Sequence, residues 1–175
     1  MQRTITVFGS AFPQAGSEQY EFAYQLGKKL AENNYSVCTG GYGGIMEAIS
    51  KGAYDVGGNI FGVTLENWKS EPNSFITIEI RTKNLFDRIS KLIELGDAYI
   101  VLQGGTGTLL ELAAIWELMN KNLIKLKPII CHSELWNGIV NLMNKQLELE
   151  NRKTDLIDLA GSVDEIILKL NNKLL

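Results

Sequence analysis

Short apolar runs recur along this chain, and between them apolar residues return every three to four positions. Ile5-Thr6-Val7-Phe8, Tyr35-Ser36-Val37-Cys38, Asn59 to Thr64, Ala98 to Leu102 and Lys127 to Cys131 are compact and rich in β-branched and aromatic residues. Such runs predict buried strands. Phe75 to Ile80 alternates and is predicted as a further strand, and Lys153 to Asp158 as a short extended segment. The helical spacing is clear in Phe22, Leu26 and Leu30 after the candidate cap Ser17, with Asn33-Asn34 as the stop. A second helix follows Gly44 and runs to about Tyr54, before Gly57-Gly58. Leu85, Ile89, Leu92 and Ile93 predict a third, and Thr108 to Met119 a fourth. Leu135, Ile139, Leu142, Met143 and Leu147 mark a fifth, and Val163 to Leu174 a sixth, with Ser162 as a candidate cap. Glu66 to Ser74 is polar and predicts a surface loop.

Strands alternate with helices throughout, without an internal repeat or an obvious linker. The pattern predicts an α/β fold, a parallel sheet with helices on both faces, in one domain spanning residues 1–175. In such sheets ligands gather beyond the carboxyl ends of the strands, where the strand order reverses. Gly9-Ser10, the loop Thr39-Gly40-Gly41-Tyr42-Gly43-Gly44 and the loop Gln103-Gly104-Gly105-Thr106-Gly107 all lie at such ends.

The last of these loops carries the most chemistry. It follows a buried strand and opens a helix, so its main-chain N–H groups and the helix start form a natural anion seat. Thr106 and Thr108 add hydroxyl donors, or cap the helix. Glu111 lies in the helix's first turns, and side chains lean toward a helix N-terminus, so its carboxylate can point back at a bound ligand. A carboxylate beside a phosphate is repulsive. It is better explained by positive charge that develops on the ligand during reaction. Arg88 has two readings, a solvated charge pairing with Asp87 or Glu94, or a clamp on phosphate or ribose that positions Glu111. The first glycine loop lacks the dinucleotide fingerprint and can also serve close helix–strand packing. No Walker sequence is present. His132, the single histidine, follows a strand and reads as a capping or surface residue more readily than as a base. Trp68, Trp116 and Trp136 read as packing residues, although each could stack on a base.

Composition narrows the classes. The chain has 175 residues, 45% hydrophobic and 21% charged, with a formal net charge of -3. That balance disfavours a nucleic-acid surface. No run is long enough to span a membrane and no secretory pattern opens the chain, so a cytoplasmic protein is expected. Cys38 and Cys131 read as buried small hydrophobes. No His/Cys/Asp/Glu cluster has metal-ligand spacing, so no metal is implied and no cofactor is called for.

Val7-Phe8-Gly9-Ser10, Thr39-Gly40-Gly41-Tyr42-Gly43-Gly44-Ile45-Met46, Arg88 and Gln103-Gly104-Gly105-Thr106-Gly107-Thr108-Leu109-Leu110-Glu111 together resemble the LONELY GUY (LOG) family. The resemblance covers about residues 3 to 132. It implies a Rossmann-like, doubly wound sheet and a homodimer with the site near the subunit interface. It also implies hydrolysis of the N-glycosidic bond of a nucleoside 5′-monophosphate, such as AMP or a cytokinin ribotide. By position, Arg88 and Glu111 match the catalytic pair, and Gly104, Gly105, Gly107 and Thr108 the phosphate-binding turn. Gly9, Ser10, Gly40, Gly41, Gly43, Gly44, Met46 and Thr106 complete the expected nucleotide-binding set. The chain departs from the family pattern at Gln103, where a proline is usual, at Ile89, where a basic residue is usual, and at Met46-Glu47, where Met-Gly is usual. The Met-Glu-Ala form resembles a branch that includes molybdenum-cofactor carriers, so a non-catalytic nucleotide or molybdenum-cofactor carrier is the alternative. A single-strand DNA binder is a third reading, disfavoured by the acidic balance.

Overall fold

The structure is a computed structural model and describes residues 2–174. Strands β1 (Thr4–Phe8), β2 (Ser36–Thr39), β3 (Ile60–Leu65), β4 (Ile78–Thr82), β5 (Ala98–Val101), β6 (Ile129–His132) and β7 (Ile157–Ala160) form one seven-stranded sheet. The helices between and after them are α1 (Glu18–Glu32), α2 (Ile45–Tyr54), α3 (Leu85–Leu95), α4 (Thr106–Asn120), α5 (Ser133–Leu149) and α6 (Val163–Leu174). The strand order is β4-β3-β2-β1-β5-β6-β7, and every neighbouring pair is parallel. The chain therefore builds outward from β1 to β4, crosses back to place β5 beside β1, and builds outward again. The order reverses between β1 and β5, which puts Gly9-Ser10 and Gln103-Gly104 on either side of that point. A backbone bond from Ser10 N–H to the Gln103 carbonyl, 3.0 Å, ties the two strand ends together.

Alternation along the strands divides the core in two. Ile5, Val7, Val37, Ile60, Ile100 and Ile130 pack against α1, α2 and α6. Phe8, Cys38, Val63, Tyr99, Val101 and Cys131 pack against α3, α4 and α5. This is the two-faced arrangement that near-continuous apolar strands require. Polar groups inside the second layer are satisfied locally: Thr6 Oγ1 donates to the Leu92 carbonyl at 3.0 Å and Tyr99 Oη to the Ile93 carbonyl at 2.7 Å. Both cysteines are buried thiols, and burial pushes Cys38 up to about 12.

Two predicted elements are displaced. The strand expected at Phe75 to Ile80 is β4, Ile78–Thr82; it is the sheet edge and largely exposed, so its alternation does not mark a buried face. Ile76 instead leaves the strand to fill the space over Gly62, where an added Cβ would come within 2.3 Å of its Cδ1. The extended segment expected at Lys153 to Asp158 is β7, Ile157–Ala160, the other edge. Ser17 does cap α1, accepting from Tyr20 N–H. Among the described residues, no helix is long and apolar enough to cross a membrane.

Candidate active site at the carboxyl edge of the sheet

Arg88 and Glu111 reach the same place from two helices of one layer. Arg88 stands in the first turn of α3 and is 8% exposed. Its Nε donates to the Val63 carbonyl at 2.8 Å and its Nη2 to the Gly40 carbonyl at 3.0 Å. The guanidinium thus lies across the ends of β2 and β3, near the Tyr42 ring, 5.5 Å from its centroid. Nη1 is left facing Glu111, with Oε1 at 3.8 Å. The reading of Arg88 as a solvated charge fails: Asp87 takes Asn84 Nδ2 and Glu94 takes Lys91, while Arg88 turns inward. Its helical neighbours Ile89 and Leu92 are core residues, and the three together fix the helix face that is buried.

Glu111 lies in the second turn of α4, its side chain 12% exposed. Burial pushes its carboxyl up to about 7, and the Arg88 guanidinium pulls it back only in part. Burial likewise lowers the Arg88 pKa, and Glu111 opposes that. The two charges touch without a hydrogen bond, which is why desolvation outweighs their attraction. A carboxyl near 7 exchanges protons at neutral pH, a property suited to acid–base work.

The glycines around the pair divide into two groups. Gly40 has no room for a side chain: a Cβ there would sit 1.7 Å from Arg88 Nη2 and 2.7 Å from Met46 Sδ. Gly44 has φ 67° and a Cβ would strike the Ala11 backbone at 2.4 Å. The first glycine loop therefore has packing reasons of its own, and Gly41 and Met46 are buried with it, Met46 Sδ lying 3.9 Å from Arg88 Nη2. Gly105 and Gly107 are different. Both are exposed, and a Cβ on either would meet nothing within 4 Å. Packing does not ask for glycine there, whereas close approach of a ligand does.

Helix α4 begins on Gly105 and has no side-chain cap, so its first N–H groups look out at the sheet edge. Thr106 and Thr108 were open to a capping role, and neither takes it. Thr108 is 4% exposed and packs against Gly104, whose added Cβ would meet its Oγ1 at 2.1 Å. Thr106 is exposed at the helix start. Helix α2 also starts without a side-chain cap, its Ile45 N–H donating to the Ser10 carbonyl at 2.8 Å. Ser10 is half-buried, and its Oγ accepts from Phe12 N–H at 3.1 Å. Gly9 is pressed on Ile45, and Gly43 is the half-buried member of its loop. The strand ends so gathered run from the Gly104 turn through Gly9-Ser10 to the Arg88–Glu111 pair.

Sequence reasoning overlooked how the polar loop between β3 and β4 holds the site. Tyr42 Oη accepts from Leu65 N–H at 2.8 Å, Asn73 Nδ2 donates to the Tyr42 carbonyl at 3.0 Å and Asn73 N–H to the Gly41 carbonyl at 2.9 Å. Asn73 straps the first glycine loop in place, and an isolated asparagine in a polar stretch carries no pattern that announces it. His132 ends β6 and makes no capping bond; its ring meets Phe22 edge-on, centroids 4.7 Å apart. Trp116 and Trp136 are buried, and Trp136 Nε1 donates to the Leu102 carbonyl at 2.9 Å, while Trp68 is exposed beside Tyr42.

This arrangement, a doubly wound parallel sheet with a glycine turn at its order reversal and a buried Arg–Glu pair beside it, defines a Rossmann-like α/β protein. The SLOG cluster4 family model matches residues 2–167, and the chain belongs to that family. An uncharacterised protein of Archaeoglobus fulgidus is 36% identical over 125 residues, 71% of this chain and 80% of the relative. A probable cytokinin riboside 5′-monophosphate phosphoribohydrolase LOG4 of Oryza sativa subsp. japonica is 30% identical over 178 residues, 96% of this chain and 76% of the relative. Among solved structures, the molybdenum cofactor binding protein of Rippkaea orientalis superposes with a TM-score of 0.78 at 26% identity, covering 100% of this chain and 99% of that one.

Proposed function

We propose that the protein hydrolyses the N-glycosidic bond of a nucleoside 5′-monophosphate, of the AMP or cytokinin ribotide kind, to the free base and ribose 5-phosphate. One observation carries the reading: a buried carboxyl, raised to about 7 and held 3.8 Å from a guanidinium, beside an uncapped helix start built on exposed glycines. Cleavage of a ribosyl–base bond builds positive charge on the sugar, and a carboxylate at that carbon stabilises it or takes a proton from the attacking water. Glu111 has that role. Arg88, anchored by Val63 and Gly40, holds Glu111 in register and offers Nη1 to the ligand. Gly105, Thr106, Gly107 and Thr108 present the α4 amides to the 5′-phosphate, with Gly104 letting Thr108 pack close and Gly9-Ser10 closing the other side. Gly40 and Met46 seat the guanidinium, and Gly41, Gly43 and Gly44 shape the loop that carries Gly40 toward it. The relatives named as phosphoribohydrolases support this chemistry. Chromatography of AMP and a cytokinin ribotide after incubation with the protein tests it. Release of free base by the wild type and not by Glu111→Ala is expected, and no release above that variant overturns it for those substrates.

A carrier that holds a phosphorylated heterocycle without cleaving it is the second reading. The molybdenum cofactor binding protein that matches the whole chain favours it, as do the two Arg88 hydrogen bonds spent on backbone carbonyls. Tight nucleotide binding in calorimetry without turnover would select it. A homodimer is part of the same proposal. The two buried tryptophans do not supply its surface, whereas Leu109, Leu110, Leu135, Leu142 and Met143 are exposed along α4 and α5.

A further inference from the structure

A cavity of about 310 Å³ opens at the same edge of the sheet but on the other flank, between the start of α1 and the ends of β5, β6 and β7. Neither Arg88 nor Glu111 lines it. Ile45 and Leu102 are its apolar part, and Phe22 and His132, set edge-on at 71°, make an aromatic corner. Gln103 and Glu134 form the polar wall, and Gln103 Nε2 donates to Glu134 Oε2. That bond fixes the amide, because the opposite orientation would set two oxygens against each other. Gln103 Oε1 is left as an acceptor without a donor, and His132 Nδ1 is likewise sealed from solvent and unbonded. Two orphaned polar atoms in the residues of one cavity wall call for a partner that the protein does not supply. For either atom to meet a ligand, its side chain must turn from this position toward the cavity. Carboxylates line this cavity and no lysine or arginine does, so its charge refuses an anion and welcomes N–H donors. Gln103 is also the residue that stands where the related glycine motif has proline, so this wall belongs to the chain's own variant of the turn.

We propose that this cavity binds an unphosphorylated, planar amino-heterocycle of purine size. Its exocyclic amine and ring N–H would meet Gln103 Oε1, His132 Nδ1 and Glu134, with its face against the aromatic corner. The volume suits a two-ring heterocycle rather than a dinucleotide. This inference does not rest on the hydrolytic reading of Arg88 and Glu111. It gives the protein a second site for the class of molecule which that reaction would release.

Titration calorimetry of the full chain with adenine, and with hypoxanthine, which lacks the exocyclic amine, tests the proposal. Adenine is expected to bind saturably and about tenfold more tightly than hypoxanthine, the weight of one lost hydrogen bond. Gln103→Leu and His132→Leu should each weaken adenine by about tenfold, whereas Glu111→Gln leaves it unchanged. Should either Leu variant fail to fold, the two-base comparison on the wild type and Glu111→Gln decides the matter. No adenine binding at millimolar concentration, equal binding of the two bases, or loss of adenine binding in Glu111→Gln overturns the proposal. AMP cleavage is read separately, so failure of the hydrolytic reading leaves this result standing.

Discussion

Replacing Glu111 by glutamine should make the protein more stable at alkaline pH, and the amount follows from its burial. The carboxyl lies at about 7 in the fold against an ordinary 4.5. A carboxyl raised by folding contributes stability that is fully present below its unfolded pKa and is lost as pH rises through its folded pKa. The window is therefore pH 4.5 to about 7, and roughly 2.5 pH units at about 1.4 kcal/mol each give about 3 kcal/mol. The side chain is 12% exposed, so solvent screening removes little of this. Glutamine keeps the shape and carries no titrating proton. Urea unfolding, followed by the fluorescence of the buried Trp116 and Trp136, reads the stability of both proteins at pH 4.5 and pH 8. Subtracting wild type from variant cancels the other titrating groups. That difference should shift in the variant's favour by about 3 kcal/mol from the lower pH to the higher. A difference that stays flat, within about 0.5 kcal/mol, refutes the claim that this carboxyl is desolvated.

Four further outcomes follow from the same geometry. If Glu111 works ionised, kcat/KM for AMP rises with pH through about 7 and then levels off, and Glu111→Gln shows no such limb in a pH–rate profile. Gly40→Ala drives a Cβ into the Arg88 guanidinium, so it should lower stability by about 2 kcal/mol in urea titration and abolish base release together. Gly107→Ala meets open space in a helix, so thermal melting should be unchanged or raised, while KM for AMP increases at least about tenfold if the amides of α4 hold phosphate. Light scattering should return twice the chain mass at micromolar concentration; a monomer would contradict the homodimer.

Much of the fold was legible because each buried strand is a short apolar run and every helix except α4, where apolar residues also face outward, is amphipathic. β1, β2, β3, β5 and β6 stand where those runs lie, and Ser17 marks the start of α1. The edges were misplaced for a physical reason: β4 is largely exposed and β7 mostly half-buried, so hydrophobicity does not mark their ends. Strand order is a matter of long-range pairing, and the glycine loops gave its reversal away only indirectly. At the site, helix geometry alone directs Glu111 back along α4, and its contact with Arg88 shows only in the coordinates. The burial of Arg88 could not, because a charged residue on an amphipathic helix looks the same in sequence whether it faces water or two strand-end carbonyls. The division among the glycines was equally hidden, since only coordinates separate Gly40, excluded by a guanidinium, from Gly107, surrounded by empty space.

A crystal structure of the Glu111→Gln protein with AMP bound tests the central claim most directly. The account predicts the phosphate on the main-chain amides of Gly105 to Thr108 and the ribose C1′ about 3.5 Å from the side chain at position 111, with Arg88 alongside. A nucleotide whose sugar lies away from that pair, or whose phosphate rests elsewhere, would contradict it.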